Sequence, residues 1–129
     1  MHKPLSPQSI HPPFAPYSPG VEVPSRSRLV FVSGQLGIAK DGTIPTGCAP
    51  QTELAFANIA AILGEAGMGL ADIVRINAYV TGREHLPDYM RVRNGLFSDP
   101  LPASTLMIVA GFARPEFVVE IEAVAAMPG

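Results

Sequence analysis

Two glutamates near the end of the chain, Glu120 and Glu122, are of a residue type and spacing suited to acid–base chemistry. They belong to residues 117–125 (FVVEIEAVA), which alternate with a period of two, as in a β-strand. One set of side chains comprises Phe117, Val119, Ile121, Ala123 and Ala125, and the other comprises Val118, Glu120, Glu122 and Val124. Glutamates on a solvated face would be ordinary surface residues. In an interfacial pocket, partial desolvation of at least one of them would favour proton transfer. The spacing alone leaves both interpretations open.

Hydrophobic periodicity and turn residues predict the elements that position these glutamates. We expect strands at about residues 29–35, 72–81, 104–111 and 116–126. A first helix is expected from Pro50 until Gly67 stops it, and a second at about 86–97 with Tyr89, Met90, Leu96 and Phe97 inside. Half of the fourteen prolines lie in the first 24 residues, so an extended arm is predicted at about 1–16, anchored by Phe14 and Tyr17. The pattern predicts an α+β sandwich with both helices on one face of a single sheet.

Composition narrows the class of protein. The 129 residues suit one domain; 47% are hydrophobic and 16% charged, and the net charge of -2 argues against a nucleic-acid partner. No stretch is apolar enough to span a membrane, and the proline-rich start does not resemble a signal peptide. The lone cysteine, Cys48, fits a reducing compartment, so the cytoplasm is expected. The three histidines show no metal-ligand spacing, and His85 is expected to be solvated.

The chain resembles the RidA/YjgF family, also called endoribonuclease L-PSP or translation-inhibitor proteins. The resemblance runs in order from about residue 14 to 126. It rests on Ala15-Pro16-Tyr17 with Gly20, Val32-Ser33-Gly34-Gln35, residues 51–63 (QTELAFANIAAIL), Glu65-Ala66-Gly67, Asp72-Ile73-Val74, Pro102-Ala103 and residues 119–123 (VEIEA).

This resemblance implies a chorismate-mutase-like fold and a homotrimer with ligand pockets between subunits, which would cover the face that carries Glu120 and Glu122. It also implies hydrolysis of small reactive imines or enamines without a cofactor or a metal. Glu120 matches the glutamate that handles the water. The resemblance places Tyr17, Ser33 and Gly34 in the pocket.

Position 104 departs from the family pattern. Active deaminases of the family carry an arginine directly after the Pro-Ala that begins the fifth strand, and this chain has Ser104 there, followed by Thr105. A guanidinium holds a carboxylate through two parallel hydrogen bonds, whereas serine offers one neutral hydroxyl. We therefore expect affinity for a 2-imino acid to be lower by about one to two decades. Ser104 and Thr105 would shape the pocket for a different ligand.

Another arginine could replace the missing one. The candidates are Arg75, Arg91, Arg93 and Arg114, and a surface or ion-pair role is the expectation for each. The leading hypothesis is a trimeric, cofactor-free deaminase of small imines or enamines. The alternative is a trimer that binds a small molecule without chemistry, which the missing arginine favours. Ribonuclease or translation-inhibitor activity fits the net charge less well.

Overall fold

The computed structural model describes residues 2–129, which form a four-stranded sheet, two helices and a short N-terminal ribbon. The elements are β1 (Lys3–Leu5), β2 (Gly20–Glu22), β3 (Ser27–Leu36), α1 (Cys48–Gly64), β4 (Ile73–Val80), α2 (Leu86–Leu96), β5 (Ala103–Ile108) and β6 (Val119–Pro128). The sheet has the order β3-β6-β4-β5. Of the pairs in this sheet, only β4–β5 is parallel, so the sheet is mixed.

The alternating pattern of β6 decides which face of the sheet forms the core. Val119, Ile121, Ala123 and Ala125 are buried in one cluster with Phe56, Ile59 and Leu63 of α1. In β4, Ile76, Ala78 and Val80 join the same cluster, since the antiparallel register places them beside the buried residues of β6. This confirms the predicted helix-covered face. Burying large apolar side chains here stabilises the fold by roughly 1.5–3 kcal/mol each.

The opposite face of the sheet, termed the open face, carries the other set of side chains. It includes Glu120 and Glu122 of β6 and Arg75, Asn77 and Tyr79 of β4, by the register of the two strands. Leu29, Phe31 and Met107 are exposed apolar residues of the same face, and Phe31 is 75% exposed. No helix formed by residues 2–129 packs against the open face. The mixture of apolar and charged side chains is typical of a surface that another chain covers.

Several predicted boundaries and anchors differ from the structure. Helix α1 begins at Cys48 rather than Pro50, because proline is tolerated in the first helical turn. The chain turns after α1 through Gly67, whose φ of 72° lies in the left-handed region that favours glycine. Leu96 was expected inside but is exposed, and Phe14, expected to anchor the arm, is 91% exposed.

The N-terminal arm is extended, and two contacts fix its course. Strand β1 pairs with β2, and Ser18 forms a parallel bridge with Ala103 at the start of β5. The Ser18 N–H donates to the carbonyl of Pro102 at 2.9 Å, and its hydroxyl donates to that of Leu101 at 2.6 Å. These bonds hold Tyr17 beside β5. No helix among the described residues is both long and apolar enough to cross a membrane.

Candidate functional site

The two glutamates of β6 have different surroundings, although both lie on the open face. The carboxylate of Glu122 accepts a hydrogen bond from Tyr79 Oη at 2.8 Å and another from Asn77 Nδ2 at 3.2 Å. The bond to Glu122, with smaller effects of burial and nearby negative charge, raises the pKa of Tyr79, so the tyrosine keeps its proton. One carboxylate oxygen of Glu122, Oε1, therefore links β6 to β4.

Glu120 lies instead against an irregularity of β3. Pairing between β3 and β6 shifts between Val32 and Gln35, which leaves Ser33 and Gly34 in a β-bulge. A Cβ on Gly34 would lie 2.8 Å from the carboxyl carbon of Glu120, closer than van der Waals contact allows. Only glycine leaves room for the carboxylate to rest over this backbone. Within residues 2–129 no group donates a hydrogen bond to Glu120, so its carboxylate is available to a ligand or a water.

A cavity of about 370 Å³, termed the arm cavity, lies between the N-terminal arm, α2 and β5. Its size is that of a small-molecule site. It is lined by Phe14, Ala15, Tyr17, Met90, Arg93, Ser104, Thr105 and Leu106. Ser104 pairs in register with buried Ile76 and so points towards α2, whereas Thr105 pairs with Asn77 on the open face. The Thr105 hydroxyl accepts a hydrogen bond from Arg75 Nη2 at 2.8 Å.

The sequence-predicted site residues thus form two groups in one chain. Tyr17, Ser104 and Thr105 meet at the arm cavity. Gly34 meets Glu120 at the bulge of β3, whereas Ser33 lines a second cavity, of about 330 Å³, with Asn77 and Glu122. Strand β4 separates β5 from β6, so the backbones of these two strands are roughly 10 Å apart. Glu120 and Ser104 also point to opposite faces of the sheet, so the two groups lie apart within one chain.

The four candidate arginines lie in different environments. Arg91 forms an exposed ion pair with Asp88 at 2.9 Å, and Arg114 lies over the ring of Phe117. Arg75 bonds to Thr105 and Asn77 on the open face. Arg93 is only 3% exposed and lines the arm cavity.

The expectation of a surface or ion-pair role is therefore wrong for Arg93. Within residues 2–129, no carboxylate lies within 4.0 Å of its guanidinium. One signal could have found this residue. Arg93 follows Tyr89 and Met90 at the helical spacing of four and three residues, on the face that the apolar pattern places inside.

The remaining polar candidates from the sequence are Cys48 and His85. Burial, the largest influence, raises the pKa of the Cys48 thiol, whose Sγ lies 3.6 Å from Thr52 Oγ1. His85 is half-buried at the N-terminus of α2 rather than fully solvated as expected. In the part of the chain that the structure describes, no three His, Cys, Asp or Glu side chains are grouped to hold a metal ion.

Comparisons with known proteins agree with this fold. The model of the endoribonuclease L-PSP family matches residues 8–127. The RutC family protein YjgH of Escherichia coli (strain K12) is 38% identical over 102 residues, which are 78% of this chain and 76% of that protein. A 2-iminobutanoate/2-iminopropanoate deaminase of Dermatophagoides farinae is 30% identical over 123 residues, covering 94% and 90% of the two chains.

Among solved structures, a Rid family protein of unknown function from Yersinia pestis, YyfB, superposes with a TM-score of 0.83. It is 28% identical, and the match covers 98% of each chain. The predicted resemblance and the predicted α+β sandwich of chorismate-mutase-like type are both confirmed. The chain belongs to the endoribonuclease L-PSP family, which contains its Rid and RutC relatives.

Proposed function

We propose that the protein is a cofactor-free hydrolytic deaminase that acts on a small reactive imine or enamine in a pocket between subunits. The observation that carries this proposal is the contrast between the two glutamates. Glu122 is held by two hydrogen bonds, whereas Glu120 rests over Gly34 with its carboxylate free. A free carboxylate on a face that another chain can cover is suited to accept a proton from water. Family membership and the deaminase relative add support.

The reaction assigns Glu120 a single role. An enamine first tautomerises to its imine. The imine nitrogen takes up a proton from the solvent, and water attacks the imine carbon while Glu120 accepts one proton of the water, which gives a neutral carbinolamine. Glu120 then returns this proton to the nitrogen. Ammonia leaves as the hydroxyl group gives up its proton to the solvent, and a ketone remains. Tyr17, Ser33, Gly34, Ser104 and Thr105 would shape the pocket and hold the substrate near the attacking water.

A homotrimer would bring the two groups of site residues together. Leu29, Phe31 and Met107 leave the open face apolar at positions where a neighbouring chain would bury them. The β5 edge of one subunit, with its arm cavity, would then face the Glu120 bulge of the next, a heterologous contact that closes after three copies. Light scattering tests this arrangement, since a monomer in solution would contradict the shared pocket.

The alternative is a non-catalytic trimer that binds a small molecule. Ser104 favours it, since the deaminase pattern of the family has an arginine at this position. The two functions differ in one observable, because the alternative predicts ligand binding without turnover.

The test is ammonia release from imines generated in place by an amino-acid oxidase. We expect the wild type to accelerate release above the buffer rate and Glu120→Gln to abolish most of the acceleration, by about 10²- to 10⁴-fold. Glu122→Gln is the matched control, because glutamine keeps an oxygen that can accept the bonds of Tyr79 and Asn77. No acceleration by the folded wild type on any imine of a side-chain series would favour the binding module. Equal losses in both variants would remove the special role of Glu120.

A further inference from the structure

We infer that Arg93, on α2, is the cation that binds a carboxylate of the ligand in the arm cavity. The inference deepens the proposed function and rests on it for the reaction, although the binding site stands on its own geometry. The Arg93 guanidinium donates a hydrogen bond to Ser104, the residue at the position where the family pattern has its arginine. A cation on the helix can thus serve the site that β5 does not.

Burial without a counter-charge is the first observation. Arg93 is 3% exposed, and the carboxylates of residues 2–129 all lie beyond 4.0 Å from it. Buried arginines are nearly always paired, because removing an unpaired charge from water costs several kcal/mol. An anionic ligand in the adjoining cavity would supply the missing partner.

The hydrogen bonds of Arg93 leave two N–H groups without a partner. Nε and Nη2 donate to Asn94 Oδ1 at 3.3 and 3.1 Å, and Nη1 donates to Ser104 Oγ at 3.3 Å. A guanidinium has five N–H groups, so one remains on each of Nη1 and Nη2. The two oxygens of a carboxylate can accept from both terminal nitrogens of a guanidinium. The neutral partners fix the guanidinium in place without satisfying its charge.

A second buried polar group lies beside Arg93. The hydroxyl of Tyr89 is fully buried and has no hydrogen-bond partner among the described residues. The centre of its ring lies 5.7 Å from Arg93 Cζ. Arg93 and Ser104 both lie close enough to the hydroxyl to counter part of the rise that burial causes in its pKa. Tyr89 keeps its proton at neutral pH, so it does not supply the counter-charge that Arg93 lacks.

The walls of the arm cavity limit the rest of the ligand. Phe14, Met90 and Leu106 supply apolar surface, and the volume of about 370 Å³ suits a small molecule. A short aliphatic chain on the imino acid meets these requirements. Ser104 alone predicts poor binding of an acid. In this site its hydroxyl accepts a hydrogen bond from Arg93 and so positions the guanidinium.

The experiment is calorimetric titration of the intact protein with 2-oxobutanoate, a stable carboxylate of the product class, and with the uncharged 2-butanone. We expect the wild type to prefer the acid. Arg93→Gln should weaken binding of the acid by about 10- to 100-fold and leave 2-butanone unchanged. Arg91→Gln, on the same helix but exposed in an ion pair, is the matched control and should bind as the wild type does.

A second variant tests the position of the charge. In Arg93→Gln/Ser104→Arg the guanidinium moves to β5, and affinity for the acid should recover at least in part. If Arg93→Gln does not fold, Arg93→Lys decides, because it keeps the charge but loses the two parallel donors and should bind several-fold more weakly.

Either of two results would overturn the inference: no preference of the wild type for the acid, or unchanged affinity of the Arg93 variant. Because binding is measured without turnover, failure of the deaminase proposal is seen separately. Arg93-dependent binding with no ammonia release would refute the enzyme and keep the site. Hydrolysis of imines irrespective of a carboxylate would refute the site and keep the enzyme.

Discussion

Gly34→Ala tests whether the bulge of β3 positions the carboxylate of Glu120, the proposed catalytic group. The added methyl group would lie 2.8 Å from the carboxyl carbon and from Oε2 of Glu120. The carboxyl group must therefore retreat by roughly 0.6 Å to reach ordinary contact. It can do so, because it is the end of a flexible, half-exposed side chain, and the backbone of Gly34 does not need positive φ. The expected loss in free energy of unfolding is about 1 kcal/mol or less.

Activity should fall much further than stability. Displacing a reacting group by a distance of this order can reduce a rate by about 10²-fold, so we expect a 10- to 100-fold lower kcat for imine hydrolysis. The assay is ammonia release at saturating imine, with urea denaturation of the same samples. Gly64→Ala at the end of α1 is the matched control, since its added methyl group contacts nothing within 4 Å and the rate should not change. A wild-type kcat in folded Gly34→Ala would refute the positioning argument.

The remaining predictions concern stability. Gln51→Leu should lower the free energy of unfolding by about 3 kcal/mol in urea denaturation, because the buried amide bonds to three backbone groups, one at Pro45 before α1 and two at Glu116 and Val118 before β6. Tyr79→Phe should cost about 1 kcal/mol in the same measurement, since it removes the bond to Glu122. Burial raises the pKa of Tyr89 to about 12. The contribution of the protonated hydroxyl to the free energy of unfolding is therefore complete below pH 10 and is lost as the pH rises towards 12. Tyr89→Phe should be at least as stable at pH 7, since its hydroxyl is unpaired, and should lose less stability than the wild type between pH 10 and 12. A Tyr89→Phe variant that is clearly less stable at pH 7, or equally alkali-sensitive, would contradict this.

The faces of the sheet were predictable from local sequence because strand alternation directly encodes them. Residues 117–125 separate into a buried set and an open-face set, as the period of two indicates. The burial of Phe56, Ile59 and Leu63 likewise agrees with their helical spacing. The start of α1 was less predictable, since Pro50 is compatible with a helix that begins two residues earlier.

The division of the site was not predictable from those patterns. It depends on β6 pairing with β3 and β4, a non-local register that brings Tyr79 and Asn77 to Glu122 and leaves Glu120 at Gly34. The burial of Arg93 was missed for another reason. A charged residue on a helix is normally solvated, and its burial here depends on the packing of α2 against β5 and the arm.

The central claim is that one working site takes Glu120 from one chain and Arg93 from the next. Its most direct test mixes Glu120→Gln and Arg93→Gln chains, after unfolding and refolding together, in the ammonia-release assay. Each variant alone should be strongly impaired, whereas the mixture should recover about a quarter of the wild-type rate, because random assembly pairs two intact residues at that fraction of interfaces. A mixture no more active than its parents, or a parent with the wild-type rate, would contradict the account.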